Sequence, residues 1–265
     1  MYEERFTQAA TLLCNADSLI ITAGAGMGVD SGLPDFRGPQ GFWGVYPALG
    51  RAKVHFQDIA NPAAFTDNPR LAWGFYGHRL AMYREVAPGT AFSILADIAS
   101  RIRYGAFVFT SNVDGHFQKA GFDPQRVVER HGSIHHLQCL HQCSQNIWDA
   151  TDFYPQVDAE QCLLVNNLPT CLSCGGLARP SILMFGDAYW LIGRTKAQQQ
   201  RFDTWKANVE RPVVIEIGAG TSIPTVRHFS ENQGCPLIRI NLNENDVPHA
   251  TDISLPMGAS AAMQG

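Results

Sequence analysis

The sequence predicts an α/β fold: a Rossmann-like parallel sheet with helices on both faces, together with a smaller zinc-containing domain. Three observations carry that expectation. Short apolar runs rich in Val, Ile and Phe alternate with helical patterns along the chain, the arrangement of parallel strands joined by helical crossovers. A turn holding Gly24, Gly26 and Gly28 directly follows the first run. Dinucleotide folds build their phosphate corner this way, because glycine bends sharply and lets a phosphate approach without meeting a Cβ. Two close-spaced cysteine pairs fall in a stretch, 138–178, with little periodicity of either kind.

Composition bounds the function. The chain has 265 residues, 45% hydrophobic and 17% charged, enough for one large domain or one domain with an insertion. A formal charge of −4 gives no support to nucleic-acid or anionic-membrane binding. No apolar run reaches the roughly 20 residues of a membrane helix. The opening MYEERFTQAATLLCN carries acids and no basic-then-apolar leader, so the expected location is cytoplasmic. Seven cysteines is an odd number; with no leader, a metal site is favoured over a disulfide framework.

Taken in order, 3–14 has helical spacing at Phe6, Ala9, Ala10, Leu13 and Cys14. Residues 18–22 (SLIIT) read as a buried strand. Pro34 and Gly38 forbid a long helix after the glycine turn and leave Asp35, Phe36 and Arg37 on a loop beside it. The aromatic stretch 40–51 reads as an irregular loop, either a lid or a plain surface connection. Helices are expected at 69–86, with Pro88-Gly89 ending it, and at 91–101. A buried strand, 105–110, runs into the polar turn Ser111-Asn112-Val113-Asp114-Gly115, and a short helix ends near 118–121. A short strand, 126–129, leads to His131-Gly132. After the cysteine-rich stretch, strand character resumes at 181–185. A helix at 191–209, a strand at 212–217, a small-residue turn at 218–222 and strands at 237–241 and 252–255 complete the pattern.

Several groups could carry chemistry. His131 follows a strand; an imidazole can take a proton from a hydroxyl near neutral pH, although most lone histidines are structural. Asn112 and Asp114 suit hydrogen bonding to a ribose or carboxamide, and equally suit capping the next helix. Cys139, Cys143, Cys171 and Cys174 have the spacing of two zinc hairpins, and four thiolates make a closed, structural site; four free thiols, or substitution by Cys162 or His141, stay open. Tyr76 and Arg79 share a helix face, where the Arg could snorkel, form an ion pair or meet an anion. The turn at 218–222 is, by itself, only a glycine-rich turn after a strand.

Residues 20–38, IITAGAGMGVDSGLPDFRG, resemble the first signature of the sirtuins, NAD-dependent protein lysine deacylases. TSNVDGHFQKAG (110–121) resembles their T-Q-N-I-D-x-L-H-x-x-A-G, with Ser111 for Gln, His116 for Leu and Phe117 for His. The His131-Gly132 pair, the cysteine pairs, RPSILMFGD (179–187, with Asp187 for Glu), Gly220-Thr221-Ser222 and Asn241 follow in the family's order; Gly28 stands where the family commonly has Ser. The resemblance implies that His131 is the general base, with Asn112 and Asp114 in the nicotinamide pocket. Gly24, Ala25, Gly26, Asp35, Phe36, Arg37, Ser111, Thr221, Ser222 and Asn241 are implied as cofactor contacts, Phe36 shielding the reactive ribose and Arg37 ordering its loop. Ile182, Leu183, Phe185 and Gly186 are implied to pair with the substrate and line the acyl-lysine tunnel. DIANPAAFTDNPRLAWGFYGHR (58–79) resembles the subgroup that removes acidic acyl groups, in which a Tyr-x-x-Arg pair, here Tyr76 and Arg79, binds the acyl carboxylate.

The expected organisation is a discontinuous NAD-binding domain of residues 1–40, 90–137 and 178–265, and a small domain of 41–89 and 138–177 carrying zinc. The expected function is NAD-dependent deacylation of acylated-lysine protein substrates, with a preference for succinyl or malonyl groups. Protein ADP-ribosyl transfer or NAD hydrolysis on the same fold is the second reading, and a non-catalytic NAD-sensing module the third.

Overall fold

The computed structural model describes residues 2–34 and 38–264; Asp35, Phe36 and Arg37 lie outside the described residues. The strands in chain order are β1 (Ser18–Ala23), β2 (Ala106–Thr110), β3 (Val127–Glu129), β4 (Gly132–Cys139), β5 (Ile147–Asp149), β6 (Val157–Asp158), β7 (Leu163–Leu164), β8 (Ala178–Ile182), β9 (Pro212–Ile217), β10 (Leu237–Ile240) and β11 (Ile253–Leu255). The helices are α1 (Tyr2–Asn15), α2 (Gly26–Val29), α3 (Gly38–Val45), α4 (Pro47–Arg51), α5 (Phe56–Ile59), α6 (Pro62–Asp67), α7 (Pro69–Glu85), α8 (Thr90–Arg101), α9 (His116–Lys119), α10 (Gly193–Lys206), α11 (Thr225–Glu231) and α12 (Ala259–Gln264).

Six strands form one sheet in the order β11-β10-β9-β1-β2-β3, and every pairing in it is parallel. Both faces are covered, which is why β1 is buried at every position and reads as a continuous apolar run instead of an alternation. Leu19, Ile21 and Ala23 face a core shared with α8 and α12. Ile20 faces the opposite core, with Phe202 of α10 and Val226 of α11. Each such Leu, Ile or Phe contributes about 1.5–3 kcal/mol by leaving water.

A third core gathers α3 to α7 onto a three-stranded antiparallel sheet, β5-β4-β8. Here two expectations are corrected. The stretch 40–51 is not an irregular loop: it lies in α3 and α4. Phe42 and Tyr46, one helical turn apart, seat their rings 5.9 and 5.0 Å from that of Phe75 on α7. Its aromatics are core anchors, and Pro47 starts the second helix where its missing N–H costs nothing. The strand expected at 181–185 is β8, which ends at Ile182 and runs antiparallel to β4 outside the large sheet.

β4 itself has no sequence signal because its run, GSIHHLQC, is half polar and broken by a bulge. Pairing with β8 shifts register between Ser133 and Leu137. The extra residues turn aside to the large sheet: Ile134 N–H donates to the Val113 carbonyl at 3.0 Å, and His135 Nε2 lies 2.7 Å from the Asp114 carbonyl. A bulge here re-aims side chains toward another element.

Candidate functional site

The strand order reverses between β1 and β9. From β1 the chain builds outward to β2 and β3 on one side and to β9, β10 and β11 on the other. The crevice at the carboxyl ends of β1 and β9 is therefore the switch point, where open α/β sheets hold ligands. Two glycine turns meet there. Gly24 N–H donates to the Ile217 carbonyl and Gly26 N–H to the Gly218 carbonyl, each at 3.0 Å. A Cβ on Gly24 would lie 2.6 Å from the Gly218 oxygen, and one on Gly26 would lie 2.7 Å from the Gly218 Cα. Gly218, at φ +62, would place its own Cβ 2.5 Å from Gly26. The physical reason for these glycines thus differs from phosphate approach: the space is filled by the neighbouring turn. Ala25 is exposed at the tip. A crevice walled by bare main chain fits a dinucleotide, whose pyrophosphate is held by main-chain groups.

β2 delivers the Asn112–Asp114 turn to the same edge. Thr110 Oγ1 donates to the Ala23 carbonyl at 3.0 Å and accepts from the Asn112 amide at 3.0 Å. Asn112 Nδ2 then donates to the Gly24 carbonyl at 3.0 Å, tying this turn to the first glycine turn. Asp114 is buried, and its Oδ1 accepts from the His116 amide, at the first residue of α9, at 2.9 Å. Burial pushes the Asp114 carboxyl up to about 6, with Glu129 adding to the rise and the His116 amide, His135 and Arg79 opposing it.

His131 sits between β3 and β4. Burial and the adjacent Arg130 charge hold its pKa below the ordinary 6.5, against the opposing influence of the Ser111 backbone. The imidazole is therefore neutral at pH 7, the form that can accept a proton. Gly132 follows at φ +82, and a Cβ there would lie 2.0 Å from the Ser181 oxygen. Only glycine lets β4 pass that close to β8. The His131 carbonyl in turn accepts from the Leu183 amide at 2.9 Å, and the Phe185 amide donates to Ala60 at 2.9 Å. Residues 182–186 are thus strung between His131 and the helical region.

Tyr76 and Arg79 do share the buried side of α7, but they have different partners. Tyr76 stacks on Phe65 at 5.6 Å. Arg79 donates from Nε and Nη2 to the Tyr83 hydroxyl at 3.1 and 2.7 Å, and its guanidinium lies 5.3 Å from the Phe75 ring centre. Tyr83 belongs to the apolar stripe that the sequence gives this helix, and its i+4 spacing from Arg79 is the signal for this contact. At the second turn, Glu244 is the residue sequence reasoning missed: its carboxylate accepts from the Thr221 amide at 3.2 Å and from the Thr221 hydroxyl. Asn241, buried, donates to the Ala219 carbonyl at 2.8 Å and accepts from the amides of Asn243 and Glu244. It shapes the loop that carries Glu244.

The sulfurs of Cys139, Cys143, Cys171 and Cys174 lie within 4.8 Å of one another. Cys162 and His141 are not in this cluster; Cys162 packs its main chain against Gly74. Gln142, at φ 52, and Gly175, at φ 71, turn the chain back at each pair. Four convergent thiols fit zinc and leave no open coordination position for a substrate. Among the described residues, no helix is long and apolar enough to cross a membrane.

The sheet order, with its switch point between two glycine turns, gives this chain the topology of the dinucleotide-binding α/β class. The model of the Sir2 family matches residues 24–223, and the chain belongs to that family. It is 30% identical over 261 residues to the NAD-dependent protein deacylase of Thermococcus kodakarensis, covering 96% of this chain and 91% of that one. It is 26% identical over 250 residues to the NAD-dependent protein deacylase of Aquifex aeolicus, covering 93% and 92%. In fold it is similar to a mutant Sir2 homologue in complex with ADP-ribose, with a TM-score of 0.71 at 24% identity over 97% of this chain and 92% of that one. A Sir2 homologue–NAD complex gives a TM-score of 0.69 at 24% identity, over 97% and 90%.

The thiol cluster generates a direct expectation. The purified protein contains one zinc per chain by elemental analysis, and Cys171→Ser releases it with a loss of thermal stability. A Cys171→Ser protein that keeps stoichiometric zinc and the wild-type Tm contradicts a zinc site built from these four thiolates.

Proposed function

We propose that this protein is an NAD-dependent protein lysine deacylase, with zinc in a structural role. The observation that carries the reading is the placement of His131: the Arg130 amide before it donates to the Thr110 carbonyl at 2.8 Å, beside the Asn112–Asp114 turn, and its own carbonyl accepts from the Leu183 amide at 2.9 Å. Names of relatives in the same family, NAD-dependent protein deacylases, support it. NAD supplies an ADP-ribose that accepts the acyl group as nicotinamide leaves. The chain's part is to bind and to move a proton. Gly24, Ala25 and Gly26, with Gly220, Thr221, Ser222 and Asn241, would hold the dinucleotide across the switch point. Ser111, Asn112 and Asp114 would orient its nicotinamide end. His131 would accept a proton from a ribose hydroxyl. Ile182, Leu183, Phe185 and Gly186 would pair with the acyl-lysine segment. The large sheet and its helices would form the NAD-binding domain of residues 1–40, 90–137 and 178–265. Residues 41–89 and 138–177 would form the small domain, with the substrate cleft between the two.

His131→Ala is expected to lower NAD-dependent turnover about 100-fold or more, the size of a general-base contribution. The sign of the pH effect follows from the lowered His131 pKa. The wild-type rate stays level as pH falls from 8 toward 6.5 and declines only below 6.5, where the imidazole gains its proton. Unchanged NAD consumption in His131→Ala contradicts the base assignment.

We further propose a preference for succinyl or malonyl groups, carried by Arg79. Its guanidinium is buried among aromatic rings on α7, where it donates to the Tyr83 hydroxyl. A charge-assisted pair to a carboxylate is worth roughly 1.5–3 kcal/mol. Arg79→Met is therefore expected to cut desuccinylation roughly 10- to 100-fold while sparing deacetylation. Equal losses on both peptides contradict the acidic preference.

A further inference from the structure

Asp187 enters the sequence reading only as a substitution for the family's Glu. In the structure it is half of a fully buried ion pair. Arg179 Nη1 lies 2.8 Å from Asp187 Oδ2 and Nη2 donates to Oδ1 at 2.8 Å, with both side chains excluded from solvent. This is the bidentate fork geometry, stronger and more directional than a single charged hydrogen bond. The same groups hold main chain on both sides of the segment between them. Arg179 Nη1 donates to the Ile182 carbonyl at 3.2 Å. Asp187 accepts from the Met184 amide at 3.4 Å and from the Tyr189 amide at 3.1 Å.

The pair therefore closes the end of β8 into a fixed loop whose bend is Gly186, at φ +65. Gln138, buried on β4, pins the far side by donating to the Tyr189 carbonyl at 2.8 Å and accepting from the Leu191 amide at 3.1 Å. Inside the loop, the Leu183 amide is bonded to the His131 carbonyl. Any shift of the loop reaches the main chain of the proposed base directly. Arg179 Nε, buried, has no partner among the described residues, so the guanidinium depends on Asp187 for most of its compensation. Breaking one member of such a pair leaves a buried charge uncompensated.

We propose that Arg179 and Asp187 are positioning residues: a buried clip that fixes the main chain from Leu183 to the Gly186 bend, the stretch an acyl-lysine peptide pairs with. The inference rests on the deacylase reading and adds to it residues that touch neither peptide nor NAD. A merely structural pair would affect both ligands alike. The clip affects the peptide.

The test measures binding of an acyl-lysine peptide and of NAD separately, by calorimetry, together with KM for each. The variants are Asp187→Asn and Asp187→Glu. Asp187→Asn is expected to weaken peptide binding roughly tenfold or more, since small misplacements of a positioning element cost that much. NAD binding stays within about twofold. Asp187→Glu, which restores the carboxylate, recovers most of the peptide affinity. If Asp187→Asn does not fold, Arg179→Lys keeps the charge, removes the fork and gives the same selective loss. Peptide binding that is unchanged, or peptide and NAD binding lost in parallel, overturns the clip. A wild-type protein that binds no acyl-lysine peptide overturns the deacylase reading and the clip together, so the two failures are distinct.

Discussion

Main chain touching main chain at the Gly24–Gly26 turn and Gly218 is the contact on which the rest of the structure depends. No side chain mediates it: both hydrogen bonds are backbone to backbone, and a single methyl on any of the three glycines has nowhere to go. It fixes the distance between β1 and β9 at their carboxyl ends, which is the switch point. Asn112 then measures its own position from the Gly24 carbonyl, and Asn241 measures the second turn from Ala219. Two of the proposed cofactor residues, Asn112 and Asn241, are thus bonded directly to the two turns that meet at this seam.

A second set of contacts carries that reference to the small sheet. The β4 bulge gives up regular pairing and gains bonds from Ile134 and His135 to the Asn112–Asp114 turn. Gly132 lets β4 and β8 approach closely beside His131. The electrostatics follow from the packing. Burial disfavours charge on both His131 and Asp114, shifting the imidazole down and the carboxyl up. At neutral pH this keeps the imidazole able to accept a proton.

Much of this was legible from residues alone. Continuous apolar runs such as SLIIT and PVVIEI are diagnostic because strands buried on both faces have no polar side, and their order with helices led directly to the parallel sheet. The four cysteines were legible because metal geometry imposes short spacings that chance seldom supplies. Other features were hidden for physical reasons. β4 is short of apolar residues because its bulge commits His135 to a hydrogen bond, so period-two alternation fails. The helices α3 and α4 were obscured by Gly and Pro, whose punctuation outweighed the Phe42–Tyr46 spacing that seats them on α7. The glycines of the first turn were located correctly but given a different cause, since their contact partner, Gly218, is remote in sequence. Glu244 depends on a partner 23 residues away, Thr221, which no local pattern brings to it, whereas the Arg79–Tyr83 contact lies within one helix and its i+4 spacing is legible.

The proposed role of the seam, of His131 and of the strand beside it is acyl transfer to ADP-ribose. Mass analysis of the products formed from NAD and an acyl-lysine peptide decides it. Free lysine peptide, nicotinamide and O-acyl-ADP-ribose are expected in equal amounts. Free ADP-ribose with the acyl peptide intact, or ADP-ribose added to protein, would contradict it.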